Sequence, residues 1–267
     1  MSGRRLAAVA LRQFYLYAGS PTRLVPLFAW VVIDIALWGF ITRYLNSIAS
    51  PGFDFVPALL GAVLLWDFLT RVMQGVSTAF LEDVWSRNFL NVFATPLLIS
   101  EYILGLVITS IGTSLIGLLT MLCLASFAFG LSFFAYGVAI VPFLLVLFLS
   151  GIALGIAGTA MVLRLGPASE WFVWPMPAML SPFVGVFYPV STLPSWMQAI
   201  SRILPPSYVF EGMRAIVRGA PWKPSTLSIG LALSVLYIIA AGFFFRQVFR
   251  TAVRTGLLAR YSAESTA

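Results

Sequence analysis

The sequence predicts an all-α, polytopic membrane protein. It has six transmembrane helices, cytoplasmic N- and C-termini, and two short amphipathic or re-entrant helices between spans five and six. Three observations carry this expectation. Of 267 residues, 60% are hydrophobic and 9% charged, whereas soluble domains carry roughly a quarter charged residues. The apolar residues fall in runs long enough to cross a hydrocarbon core about 30 Å thick. Arginines gather before the first run and after the last, the charge bias of cytoplasmic flanks.

The spans are expected at 24–45, 55–80, 102–129, 134–163, 171–190 and 226–246, within a single membrane domain covering residues 1–267. Arg4, Arg5, Arg12 and Arg23 precede the first span; Arg246, Arg250, Arg254 and Arg260 follow the last. Two cytoplasmic tails require an even number of spans, and six satisfies this. The first apolar run lacks a small-residue cleavage site and reads as a retained span, not a secretory signal. Spans three and four are separated only by a turn around Gly130 and Ser132, which predicts a helical hairpin. The loops holding Arg87 and Arg164 then face inward. The loop after span five faces outward, although Arg202, Arg214, Arg218 and Lys223 violate the charge rule there.

Composition excludes several function classes. There is no His and one Cys, Cys123, so a His- or Cys-based metal site, an intrachain disulfide and a histidine general base are all excluded. Lys223 is the only lysine, followed by Pro224, so no GxxxxGK[ST] phosphate loop exists in this chain. The net charge of +7 is accounted for by membrane flanks, and nucleic-acid binding is not expected. An intramembrane enzyme is disfavoured, because no clustered carboxylates or metal-ligand spacing occur.

Charges inside the spans are costly in hydrocarbon and mark candidate sites. Asp67 and Arg71 stand four apart on one face of span two and can neutralise each other. Asp34 in span one has no local partner and should face the bundle interior, a cavity or a second copy. A structural pair or hydration and a proton relay are both open for Asp34. Trp30, Trp38, Trp66, Trp171 and Trp174 lie towards span ends, where interfacial belts place aromatics; stacking on a transported molecule is the other reading.

Residues 82–99 follow span two. Glu82 and Asp83 are expected at the start of a new helix, favourably placed for its dipole. Trp85, Phe89, Val92 and Phe93 make one apolar stripe, and Pro96 ends that helix. Taken alone, the stretch is an amphipathic connector resting on lipid. Between spans five and six, Pro189, Pro194, Pro205 and Pro206 break the chain. At 100° per residue, Trp196, Met197, Ile200, Ile203 and Leu204 fall within about 120°. After Pro206, Val209, Phe210 and Met213 share one side; Glu211, Arg214 and Arg218 share the other, spaced for an i,i+3 ion pair. Interfacial helices and a re-entrant pair lining an exit are both compatible with this pattern.

These residues carry a resemblance. Gly185, Phe187, Tyr188, Pro189, Leu193, Pro194, Trp196, Pro205, Tyr208, Glu211, Arg214 and Gly219, together with Glu82, Asp83, Ala94, Thr95, Pro96, Leu97 and Glu101, resemble the membrane subunit of type-2 ATP-binding-cassette exporters. The likeness spans essentially the whole chain. It implies a permease in the cell membrane that moves a polysaccharide, lipid-linked glycan, lipid or drug-like amphipath outward. Two copies of this chain would form the pathway, and two copies of a separate ATPase subunit would hold the ATP and magnesium; this chain would bind no cofactor and catalyse no reaction itself. The resemblance also implies that Glu82, Asp83, Trp85, Arg87, Phe89 and Pro96 belong to a coupling helix docked on that ATPase. Pro194, Trp196, Pro205, Tyr208, Glu211, Arg214 and Arg218 would form the external gate, and the segment Arg4–Tyr17 an interfacial helix. The competing class is a proton-coupled secondary transporter using Asp34, Asp67 and Arg71.

Overall fold

The structure, a computed structural model, describes residues 2–48, 55–86, 88, 91–92, 94–220 and 223–256, and among these it contains helices and no strand. The helices are α1 (Gly3–Ala18), α2 (Pro21–Ile48), α3 (Gly61–Trp85), α4 (Ile99–Phe129) and α5 (Ile140–Leu165). They continue with α6 (Glu170–Val173), α7 (Met176–Val184), α8 (Ser195–Ser201), α9 (Pro205–Val217) and α10 (Pro224–Arg254). A π-helical turn, Val56–Leu60, leads into α3, and a 3₁₀ stretch, Phe133–Ala139, into α5.

Five helical stretches among the described residues are long and apolar enough to cross a membrane: Phe28–Ile48, Val56–Trp85, Ile99–Phe129, Tyr136–Leu165 and Pro224–Arg254. The expected span 171–190 is not one helix. It is divided into α6 and α7, and α7 ends at Gly185, whose φ of 69° only glycine adopts readily. Pro175, Pro177 and Pro182 deny this stretch the backbone donors a continuous helix needs. The last helix runs on to Arg254, beyond the expected 246, because Phe245, Val248 and Ala252 continue its buried face.

The expected hairpin of spans three and four is also absent. Gly130 ends α4 in the left-handed conformation, as a turn there requires, but the 3₁₀ stretch then carries the chain over the start of α3. Tyr136 donates a hydrogen bond of 2.5 Å to the Pro57 carbonyl. As a result α3 lies between α4 and α5 and packs against both, while α5 packs in turn on α10, and α1 and α2 cover α4.

Small residues allow this close packing. A Cβ on Gly151 would stand 2.8 Å from the Leu69 carbonyl oxygen, and one on Gly155 2.9 Å from that of Met73. On the other side of α3, Ser110 donates to the Val72 carbonyl at 2.7 Å. Ser150 and Ser234 are hydrogen-bonded at 3.0 Å across the α5–α10 contact. Gly155→Val is expected to force α5 off α3 and destabilise the protein by about 2 kcal/mol. Thermal unfolding in detergent checks this, with Gly112→Val as control, because a Cβ at Gly112 meets nothing within 4 Å.

Candidate functional site

Helix α3 is buried nearly all round. Its half-buried positions are Trp66, Asp67, Thr70, Arg71, Gln74, Thr78 and Glu82. The six polar ones recur at helical spacing, so at 100° per residue they form a stripe about 120° wide. That stripe lines a cavity of about 640 Å³. From Asp67 to Glu82 it runs roughly 22 Å, at 1.5 Å per residue. Opposite it stand Trp30 and Asp34 of α2, Thr113 of α4, Tyr17 of α1 and Trp174 between α6 and α7.

Sequence reasoning found Asp34, Asp67 and Arg71, and the structure brings all three to this cavity. Asp67 and Arg71 form the expected i,i+4 ion pair at 2.8 Å, and the aliphatic stem of Arg71 lies over Gly117 of α4. Gln74, Thr78 and the true setting of Glu82 were missed. The signal was present: the polar residues continue the Asp67–Arg71 register at i+7, i+11 and i+15.

Glu82 and Asp83 do not start a new helix. They lie in the last two turns of α3, where a helix dipole disfavours negative charge. The compensation comes from α1. Arg12 forms a two-pronged ion pair with Asp83, one prong at 3.1 Å, and Tyr102 donates to the same carboxylate at 2.8 Å. The Asp83 side chain is fully buried and that of Arg12 about a third exposed. The hydrogen bonds to Asp83 push the Arg12 guanidinium above its ordinary arginine value, outweighing burial. A neighbouring carboxylate extends the latch: Glu101 accepts from the Ser2 amide at 2.6 Å and from the Leu98 amide at 3.0 Å. Asp83 therefore ties α1 to α3, whereas Glu82 lines the cavity.

Of the other expected coupling residues, Trp85 is exposed and donates to Glu170 at 2.7 Å, joining the end of α3 to the start of α6. Pro96 is exposed in a turn before α4. Arg87 and Phe89 lie outside the described residues.

The segment 185–218 gathers at the opposite end of α3, and its residues reach deep along neighbouring helices. Phe187 stacks on Trp38 of α2, with ring centroids 5.0 Å apart. Tyr237, some thirteen residues or about 20 Å into α10, donates to the Ile203 carbonyl at 2.6 Å. Phe210 of α9 sits beside Trp66 of α3, with centroids 6.1 Å apart. Pro205 and Pro206 start α9, where a missing N–H costs nothing, and Pro194 precedes α8. Trp196 is exposed at the start of α8 and packs edge-on against Phe183. The Tyr208 hydroxyl donates to the Arg202 carbonyl at 2.6 Å.

The expected ion pair is present: Arg214 and Glu211 meet at 2.8 Å. Both also hold backbone, which the sequence did not disclose. Glu211 accepts from the Val190 amide at 2.8 Å, and Arg214 donates to the Val186 carbonyl at 3.3 Å. The pair thus clamps the 185–190 turn onto α9, while Arg218 lines a neighbouring cleft with Leu45 and Phe55. Burial pulls Arg214 below its ordinary arginine value, and the nearby Glu211 counteracts this.

A family model described as ABC-2 type transporter matches residues 5–217 of this chain. No match is found among curated proteins.

Two outcomes follow from the ion pairs. In a double-mutant cycle on Arg12→Gln and Asp83→Asn, thermal unfolding in detergent is expected to give a coupling of about 1–3 kcal/mol. For the clamp, exchanging both charges (Glu211→Arg with Arg214→Glu) is expected to recover little of the thermal stability lost in Glu211→Arg alone. The exchanged pair cannot accept from the Val190 amide at position 211 or donate to the Val186 carbonyl from position 214.

Proposed function

Because the chain belongs to the ABC-2 type transporter family and is a multi-pass membrane protein, we propose that it is the permease subunit of an exporter driven by a separate ATPase. The observation that carries the pathway assignment is the polar stripe of α3, the open face of an otherwise buried central helix. The cavity it lines is the half-pathway one copy contributes, and a second copy completes it. The partner ATPase, in two copies, binds ATP and magnesium.

Six crossings are proposed, the fifth made by the broken stretch α6–α7. Two contacts support this: Trp85 meets Glu170 at one end of the bundle, and Phe187 meets Trp38 towards the other. Both termini belong to one side, which we read as cytoplasmic. Arg12 joins Asp83 near the end of α3, and Phe245 of α10 packs edge-on against Phe80 in that region. The depth of Ile203 beside Tyr237 favours a re-entrant α8–α9 pair over one lying on the surface.

In mechanism, α3 is the transmitting rod. It spans 25 residues, roughly 37 Å, from the exposed connector at Trp85 to the contact of Trp66 with Phe210 in the gate. ATP favours the closed ATPase pair, and that differential affinity pushes the connector and tilts α3 as a rigid body. Phe210 moves with it, so α9 and its clamp open the exit. The cavity's mouth near Tyr17 and Glu82 admits cargo from the cytoplasm. The substrate is a polysaccharide, lipid-linked glycan, lipid or drug-like amphipath. Family membership favours ATP over a proton gradient, for which Asp34, Asp67 and Arg71 were the candidates.

ATPase docking is assigned to the exposed connector, including Trp85, Thr95 and Pro96. Pro96→Arg is expected to lower recovery of the ATPase with the tagged permease at least fivefold while leaving the permease folded. Undiminished recovery places the docking surface elsewhere. Transport that survives ATP depletion and stops when the proton gradient collapses refutes the export reading itself.

A further inference from the structure

We propose that the α3 cavity takes an organic cation, a compact amphiphile whose positive charge sits at Asp34 and whose apolar body lies against Trp30 and Trp174. As a statement about exported cargo it rests on the export reading; as a statement about binding it does not.

The charge balance is the first argument. Asp67 and Arg71 neutralise each other at 2.8 Å. Asp34 faces the same space, half-buried, and makes no hydrogen bond or ion pair among the described residues. Arg71 is paired to Asp67 and reaches Asp34 only at a distance, so Asp34 adds a net negative charge to a half-buried space, and a cation that enters beside it offsets that charge. Arg71 does not present an equivalent anion site, because its Nε is already paired with Asp67.

The aromatic residues supply the second argument. Trp30 lies one turn before Asp34, at i and i+4 on the same face of α2, so an indole stands beside the carboxylate. Trp174 lines the cavity from the α6–α7 break. Indole faces attract ammonium and phosphonium groups and also accept apolar bodies. The remaining polar groups, Thr70, Gln74, Thr78 and Thr113, are neutral and can solvate a ligand without competing for its charge.

Size is the third. About 640 Å³ falls in the range of small-molecule sites, roughly 300–1,000 Å³. The only arginine among the described lining residues is Arg71, which is paired with Asp67.

Tetraphenylphosphonium and tetraphenylborate test this directly, being alike in shape and opposite in charge. Equilibrium dialysis against the purified full-length chain, with empty micelles as blank, is expected to show saturable phosphonium binding at least tenfold tighter than borate. Asp34→Asn should weaken the phosphonium about tenfold and leave the borate unchanged, while Asp34→Glu retains the preference. Equal affinity of the wild type for both ions, or phosphonium affinity unchanged in Asp34→Asn, overturns the proposal. The wild-type comparison decides even if Asp34→Asn fails to fold. A proton relay at Asp34 predicts no phosphonium preference, since that ion carries no exchangeable proton. Inverted vesicles holding the chain with its ATPase separate the two readings. Charge-selective binding with no ATP-dependent uptake of any compound sinks the export reading alone. ATP-dependent transport of another compound without phosphonium preference sinks the cation alone.

Discussion

The burial of α3 is the constraint on which the rest of the structure depends. A helix buried on nearly every side must be flanked by neighbours that approach its backbone closely, and α5 does so through Gly151 and Gly155. Ser110 of α4 closes the opposite side by bonding directly to the α3 backbone. With those two faces taken, the polar residues from Asp67 to Glu82 have one direction left to face, and the cavity is the result.

The same burial explains the latch at the end of the helix. Asp83 would be a severe penalty as an isolated carboxylate beside the negative end of a helix dipole. Arg12 and Tyr102 satisfy it, and in doing so they tie α1 to α3 across the sequence. The family resemblance implied a coupling role for the acidic pair; what the sequence did not disclose is that Asp83 lies buried beneath Arg12 and Tyr102. Its neighbour Glu82, a single residue away, turns by 100° and faces the cavity instead.

At the other end, the clamp of Glu211 and Arg214 was half legible. Their i,i+3 spacing implied an ion pair, and the pair is there. The backbone of Val190 and Val186 that it grips lies 21 and 28 residues upstream of Glu211 and Arg214 respectively, and no spacing rule within one helix reports a contact to a separate turn. The broken fifth segment shows the opposite limit. Its hydropathy was that of a span, but Pro175 and Pro182 and the left-handed Gly185 decided its geometry.

The sequence by itself determined the helical membrane architecture, four of the helix-forming spans to within a few residues, and both short-range ion pairs. Those features follow from helical period and from the cost of charge in hydrocarbon, which act over one or two turns. Only the tertiary structure decided that α3 separates α4 from α5, that Arg12 reaches Asp83, and that Asp34 faces Asp67 across a cavity. Each of these depends on which helix faces admit close approach, a property of pairs of surfaces distant along the chain. Periodicity shows that a helix has a polar face; packing determines what that face meets.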